Sequence, residues 1–210
     1  MDEMTPDSAE TQKLLGQVRA GDAQAFEQLF ARHRPELRQF IELRLDPRMR
    51  ARVDASDVVQ ETQMEVFRRL ADFLERQPMP FHLWLRKTAY ERLLKIRRHH
   101  VKVAQRTVRR EVALPDHSSL QLAQHLLAPG STPSQHLDKR EIVRRVRQAL
   151  ARLSDGDREI LLMRNFDGLS NQEAAQLLGI EPATASQRFG RAILRLRKLL
   201  LESGLMESQS

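Results

Sequence analysis

The sequence contains no cysteine and few aromatic residues. The first absence excludes disulfide bonds, zinc sites built on thiolates and cysteine nucleophiles. Aromatic residues make up only 5% of the chain, so leucine, isoleucine, valine and alanine must fill the core. The chain also lacks an apolar run long enough to span a bilayer, and it does not begin in the pattern of a signal peptide. We therefore expect a cytoplasmic protein that does not insert into a membrane.

What the chain does contain is charge, with the positive sign in excess. Its 210 residues include 35 Lys and Arg against 28 Asp and Glu, which gives a formal net charge of +7. Such a balance attracts polyanions, so nucleic acid, an anionic membrane surface and an acidic protein are all candidate partners. Because 30% of the residues are charged and 40% hydrophobic, two small cores are more plausible than one thick domain.

Apolar residues recur at helical spacing in both halves of the chain, and no stretch alternates with period two. The sequence thus predicts an all-α protein: two small helical bundles joined by a flexible linker. We place the first domain at residues 11–98, the linker at 99–136 and the second domain at 137–204. Residues 1–10 are polar and expected to fray, and Pro35 is expected to kink or break its helix. A further helix should start near Asp57.

The linker is first basic and then rich in Pro, Gly, Ser and Thr, with room for a short helix over 120–127. One interpretation of the basic run is a solvated tail; the other is an element that tracks a nucleic-acid strand.

Within the first domain, the segment Gln77–Pro80 contains two prolines and is expected to break the helical pattern. It therefore separates two helices of that domain.

The second domain carries a succession of helix start and stop signals. Ser154 is placed to cap one helix, and Ser170 with Glu173 has capping-box spacing at the next. Gly179 suits the left-handed position that ends that helix, and Pro182 suits the first turn of another. A short capped helix, a tight turn and a long second helix form a helix-turn-helix signature.

The long second helix has two distinct faces. Apolar side chains are expected to point inward at Phe189, Ile193, Leu196 and Leu200, and polar ones outward at Thr184, Gln187, Arg188, Arg191, Arg195 and Lys198. Gln and Arg can form paired hydrogen bonds with base edges in the major groove. An ordinary solvated helix with a basic face is the alternative. The cap, the turn and the second helix together favour DNA binding.

This domain resembles region four of the extracytoplasmic-function sigma factors. The resemblance lies in the runs at 153–164 and 168–175 and in Gly190-Arg191-Ala192. It implies that the domain binds the −35 promoter element through Thr184, Ser186, Gln187, Arg188 and Arg191. Response regulators share this type of helix-turn-helix, so only the first domain can distinguish a sigma factor from a response regulator.

In the first domain, Asp57, Glu61 and Glu65 are spaced four apart and so share one helical face. The face is either a solvated acidic surface or a contact for a basic partner. The segment at 54–62 is similar to the polymerase-binding helix of region two in the same family. The resemblance implies contact with the coiled-coil of the largest subunit of core RNA polymerase through Asp57, Gln60, Glu61 and Glu65.

The helix that begins at Phe81 interleaves aromatic and basic residues, a pattern suited to single-stranded DNA. It resembles the family's −10 recognition helix, and the candidate DNA contacts are Trp84, Lys87, Tyr90, Lys95, Arg97 and Arg98. Trp84 could equally be a core residue. Glu91 and Lys95 depart from the family pattern, and the run at 90–95 resembles planctomycete-type members. The resemblance places the loop that gives −10 specificity near Asp72–Pro80.

These observations predict a sigma factor that binds core RNA polymerase and promoter DNA, with an anti-sigma factor as a further partner. The alternative is a stand-alone helix-turn-helix regulator, which would bind duplex DNA without polymerase. An enzyme is the third class, but we find no phosphate-binding glycine loop or nucleophile elbow. The histidines lack ligands at metal-binding spacing. We therefore expect no catalytic residues, no metal and no cofactor.

Overall fold

The computed structural model describes residues 4–45, 53–103 and 139–204, with the side chains of 99–103 and 139 excepted. Every regular element in these ranges is an α-helix, which confirms the predicted fold class. The chain divides into two compact units, Met1–Thr107 and Val108–Ser210. Each unit is described by itself below.

The N-terminal unit contains four helices: α1 (Ala9–Arg19), α2 (Ala23–Glu42), α3 (Ala55–Arg76) and α4 (Phe81–Val103). Side chains cap the first three, because Ser8, Asp22 and Asp54 each accept a hydrogen bond from a backbone N–H of the first turn. Residues 1–10 were expected to fray, and this was wrong for the last of them, since the Ser8 cap lets α1 begin at Ala9. The Asp54 cap likewise starts α3 two residues before the predicted Asp57.

The core of the N-terminal unit forms where α2 packs on α1, α3 and α4 and where α3 packs on α4. Its largest fully buried side chains include Phe30, Phe40 and Phe81. Pro35 does not break α2, although it removes one backbone donor. It lies on the exposed side, while Phe30 and Leu37 bury the opposite side on both flanks of it. Packing on both sides of Pro35 therefore keeps α2 continuous.

The C-terminal unit also contains four described helices: α5 (Lys139–Arg152), α6 (Asp155–Asn165), α7 (Asn171–Leu178) and α8 (Pro182–Glu202). Helix α8 packs against the other three, with Leu196 and Leu200 fully buried. Phe189 and Ile193, predicted to point inward, are only half-buried. Ala185 and Ala192 complete the buried stripe, because small side chains let α8 approach its neighbours closely.

The predicted end signals of the helix-turn-helix are confirmed. Ser170 and Glu173 form the reciprocal capping box at the start of α7. Gly179 adopts the left-handed conformation with φ 65°, and its N–H bonds to the carbonyl of Ala175. Pro182 occupies the first turn of α8. The orientation of α8 is thus determined by local chemistry on both sides of the three-residue turn at 179–181.

The predicted linker falls almost wholly outside the described residues. Helix α4 continues to Val103, so the first five residues assigned to the linker have helical backbone. Residues 104–136, with the short helix predicted over 120–127, lie outside the described ranges. Among the helices that the model describes, none is both long and apolar enough to cross a membrane. The described residues also include no cluster of metal-ligating side chains.

Candidate polymerase and promoter interfaces

The acidic face predicted on α3 is present and lies on the side of the helix away from the core. Asp57, Gln60 and Glu61 are exposed and Glu65 is half-buried, whereas Val58 next to them is fully buried. The 3.6-residue period of the helix produces this separation, because residues three and four apart stack on one face. The structure therefore brings together all four side chains of the predicted polymerase contact.

Cations compensate part of this face. Glu61 Oε2 lies 2.5 Å from Nε of Arg92, and Glu65 Oε1 lies 2.5 Å from Nη2 of Arg69. Arg69 also reaches Oε2 of Glu91 at 3.2 Å. The hydrogen bond from Arg69 holds the pKa of the Glu65 carboxyl below its ordinary value. These ion pairs line a shallow groove between α3 and α4, to which Lys95 also contributes.

Two apolar side chains that sequence reasoning missed lie on the same exposed side of α3. Met64 is 54% exposed and Phe67 is 64% exposed. Phe67 is not isolated, since its ring packs edge-on against Phe26 at a centroid distance of 5.2 Å. A signal was available in the sequence: at helical spacing both residues fall outside the buried stripe of Val59, Val66 and Leu70. Exposed large apolar side chains beside charged ones are typical of a protein-binding surface.

The predicted −10 residues on α4 do not form one exposed surface. Lys95 and Arg98 are exposed, whereas Lys87 and Arg97 are half-buried. Trp84 and Tyr90 are each only 8% exposed. The Trp84 ring stacks on Phe73, with centroids 4.3 Å apart and an interplanar angle of 19°. This burial favours the core alternative for Trp84, because a ring stacked on Phe73 presents little surface to a base.

On α8, the predicted −35 residues lie toward its N-terminal end and largely face outward. Thr184, Ser186, Gln187 and Arg191 are exposed, and Arg188 is half-buried. Arg188 packs over Gly156 in the first turn of α6: a Cβ added to that glycine would lie 3.1 Å from Nη1 of the arginine. The N-terminal half of α8 thus presents amide, hydroxyl and guanidinium groups, which are the groups that read base edges.

Arg195, which was also expected to face outward, is engaged with the protein. Its guanidinium forms an ion pair with Asp157, whose side chain is buried at the start of α6. The arginine itself remains largely exposed. Asp157 also suits the positive N-terminal end of α6. The pair therefore links α8 to α6, while Arg191 and Lys198 remain exposed on either side of it.

Comparison with known proteins assigns these features to a family. A family model for sigma-70, region 4, matches residues 143–196. The RNA polymerase sigma factor CnrH of Cupriavidus metallidurans is 30% identical over 198 residues, which cover 94% of this chain and 97% of that protein. The ECF RNA polymerase sigma-E factor of Haemophilus influenzae is 24% identical over 181 residues, which cover 86% of this chain and 90% of that protein.

A solved structure of CnrH in complex with the cytosolic domain of CnrY has the same fold. It superposes with a TM-score of 0.59 at 24% identity and covers 92% of this chain and 98% of its own. The matched region 4 model coincides with the helix-turn-helix unit, and the similarity to CnrH continues through the unit that carries α3 and α4. The chain belongs to the extracytoplasmic-function (ECF) family of RNA polymerase sigma factors.

Proposed function

We propose that this sigma factor binds core RNA polymerase through the exposed face of α3 and directs transcription initiation at specific promoters. The observation that carries the proposal is that face itself, where Asp57, Gln60 and Glu61 lie exposed on the same side of the helix as Met64 and Phe67. A partner with a basic rim and apolar centre would match it, since charge steers association and buried apolar area supplies affinity.

Transcription in a purified system tests this function. Core polymerase should initiate at discrete sites on genomic DNA only when the protein is added, as measured by run-off transcription. A stand-alone regulator would instead bind particular duplexes by itself and leave the start sites of core polymerase unchanged. Gel-shift measurements on the same fragments, with and without polymerase, separate the two functions.

The division of labour between the units is part of the proposal. Residues 11–98 would hold polymerase and the −10 element, and 137–204 would bind the −35 element through Thr184, Ser186, Gln187, Arg188 and Arg191. Helix α8 supports this assignment, because its N-terminal half exposes the side chains that the major groove accommodates. On α4, the exposed Lys95 and Arg98 are the best-placed candidates for strand phosphates.

Replacing Arg188 with alanine is expected to weaken binding to −35-dependent promoters by about 1–3 kcal/mol and so to lower transcription from them. The guanidinium can pair with two acceptors of one guanine, and alanine offers neither donor. Competition between promoters that differ at single −35 positions measures the loss. An equal loss on every promoter would instead make Arg188 a phosphate contact. Arg152→Ala is a suitable control, because Arg152 is an exposed arginine on α5.

Trp84→Leu is expected to preserve both the fold and the formation of open complexes, whereas Trp84→Ala should lose more stability. Leucine fills much of the space against Phe73 that the buried indole occupies, and alanine leaves a cavity there. Permanganate footprinting of the melted strand, together with thermal unfolding, checks both parts. A fully folded Trp84→Leu protein that fails to open DNA would support base stacking by the ring.

Four further assignments are proposals: an anti-sigma partner, a cytoplasmic location, the absence of catalytic residues and a subgroup. The solved relative CnrH is in complex with the cytosolic domain of CnrY, and we infer that a comparable anti-sigma protein restrains this chain. Polymerase acts in the cytoplasm, so that is where this chain would act, as an initiation factor without catalytic residues of its own. The run at 90–95 supports placement in a planctomycete-type subgroup.

A further inference from the structure

The segment that precedes α1 lies against the start of α4. The Asp7 side chain is only 3% exposed. Its carboxylate accepts hydrogen bonds from the backbone N–H groups of Phe81 at 2.5 Å and His82 at 3.1 Å, and Nδ1 of His82 lies 2.8 Å from Oδ1. Phe81 and His82 are the first two residues of α4. A carboxylate more than seventy residues away in sequence therefore caps this helix.

Local sequence does not offer α4 such a cap. The residue before it is Pro80, which has no side-chain acceptor for the free N–H groups of the first turn. Burial alone would raise the pKa of the Asp7 carboxyl, but hydrogen bonds from the His82 ring and the two backbone N–H groups outweigh it. The pKa consequently lies below its ordinary value, and the carboxylate is ionised at neutral pH. Its charge also suits the positive end of α4.

Helix α1 contacts the other end of the loop 77–80, which joins α3 to α4. Nη2 of Arg19, in the last turn of α1, donates to the carbonyl oxygen of Leu74 at 2.5 Å. Leu74 lies in the last turn of α3, where the helix dipole favours a cation. The loop between these two contacts is short and stiff, because it contains two prolines and Gln77 in the left-handed conformation with φ 39°. Met79 within it is buried.

We propose that Asp7 and Arg19 form a bracket that sets the position of loop 77–80, and that they are positioning residues for recognition of the −10 element. This inference rests on the proposed function, and on the resemblance that places the loop giving −10 specificity near Asp72–Pro80. Without the bracket, two N–H groups of α4 and the His82 ring lose their acceptor, and the carbonyl of Leu74 loses its donor. Both ends of the loop then become free to shift together.

The experiment compares Asp7→Asn and Arg19→Gln with the parent. Each is assayed with core polymerase on two pools of duplex promoters, one randomised at the −10 element and one at the −35 element, at a temperature where circular dichroism shows every variant folded. We expect both variants to change the −10 base preference several-fold and to leave the −35 preference unchanged. The matched control is Ser8→Ala, which removes the side-chain cap of α1 and leaves the Asp7 carboxylate and Arg19 in the chain.

Arg19 is exposed, so Arg19→Gln remains informative even if the buried Asp7 variant does not fold. Lower transcription on all promoters with an unchanged −10 preference would overturn the inference, because it would show the bracket to be merely structural. A −10 preference that shifts equally in Ser8→Ala would also overturn it. Failure of the parent to direct any promoter-specific transcription would overturn the proposed function, and the inference with it.

Discussion

Replacing Asp57 and Glu61 together with arginine is expected to abolish co-purification with core RNA polymerase while the protein stays folded. Both side chains are exposed on α3, so their loss removes no core packing. On the proposed interface the two arginines would face a basic partner surface. Juxtaposed like charges cost several kcal/mol, which corresponds to roughly a hundredfold or greater loss of affinity. Pull-down and fluorescence-anisotropy titration with core polymerase measure this loss.

Two controls separate a partner effect from an effect on the protein itself. Glu61 pairs with Arg92, so Glu61→Arg alone would also place two cations side by side. Adding Arg92→Glu restores an ion pair of reversed sign, and we expect it to restore stability but not polymerase binding. Glu10→Arg with Glu202→Arg changes the net charge by the same amount at exposed positions on α1 and α8. Unchanged binding of the Asp57 and Glu61 variant would disprove the contact on α3.

Replacing Arg158 with methionine is expected to destabilise the C-terminal unit by about 3 kcal/mol. Arg158 is 8% exposed at the start of α6. It donates from Nε to the carbonyl of Leu150 at 3.1 Å and from Nη2 to that of Leu153 at 3.0 Å, and so closes the C-terminal end of α5. Methionine fills similar space but leaves both carbonyl oxygens without this donor.

The single tryptophan makes this measurement specific to one unit. Trp84 lies in the N-terminal unit, so its fluorescence follows the unfolding of that unit, while circular dichroism follows all helices. We expect Arg158→Met to lower the midpoint of the C-terminal transition by on the order of 15 °C and to leave the fluorescence transition unchanged. Arg152→Met is the matched control, since that arginine forms an exposed ion pair with Glu202. Equal shifts in the two variants would refute a structural role for Arg158.

The C-terminal unit could be predicted in most of its detail because its determinants are local. A capping box, a left-handed glycine and a proline in the first turn act over three or four residues, and they occur here in the order of a helix-turn-helix. The predicted faces of α8 were less accurate. Half-burial of Phe189 and the ion pair of Arg195 depend on where α6 packs, and helical periodicity does not report that.

The N-terminal unit shows where sequence reasoning stopped. Spacing predicted that Asp57, Glu61 and Glu65 share a face, and it also places Arg69 one turn after Glu65 on α3. It did not predict that Arg92 on α4 compensates Glu61. The same spacing predicted an aromatic-basic face on α4, whereas Trp84 instead stacks on Phe73. Ring stacking and cross-helix ion pairs require the position of a second helix, and only the packed bundle supplies it.

The sequence by itself determined the helical class, the two-part division, the helix-turn-helix and the resemblance that the relatives confirm. The helical class and the helix-turn-helix follow from periodicity and from end signals that act within one or two turns, and the division follows from the composition of the linker. Only the tertiary structure decided which charges pair across helices, which aromatic rings are buried and how α4 begins. The Asp7 cap illustrates the reason: a free N–H at a helix start must find an acceptor, but the acceptor can come from any part of the chain that folding brings near.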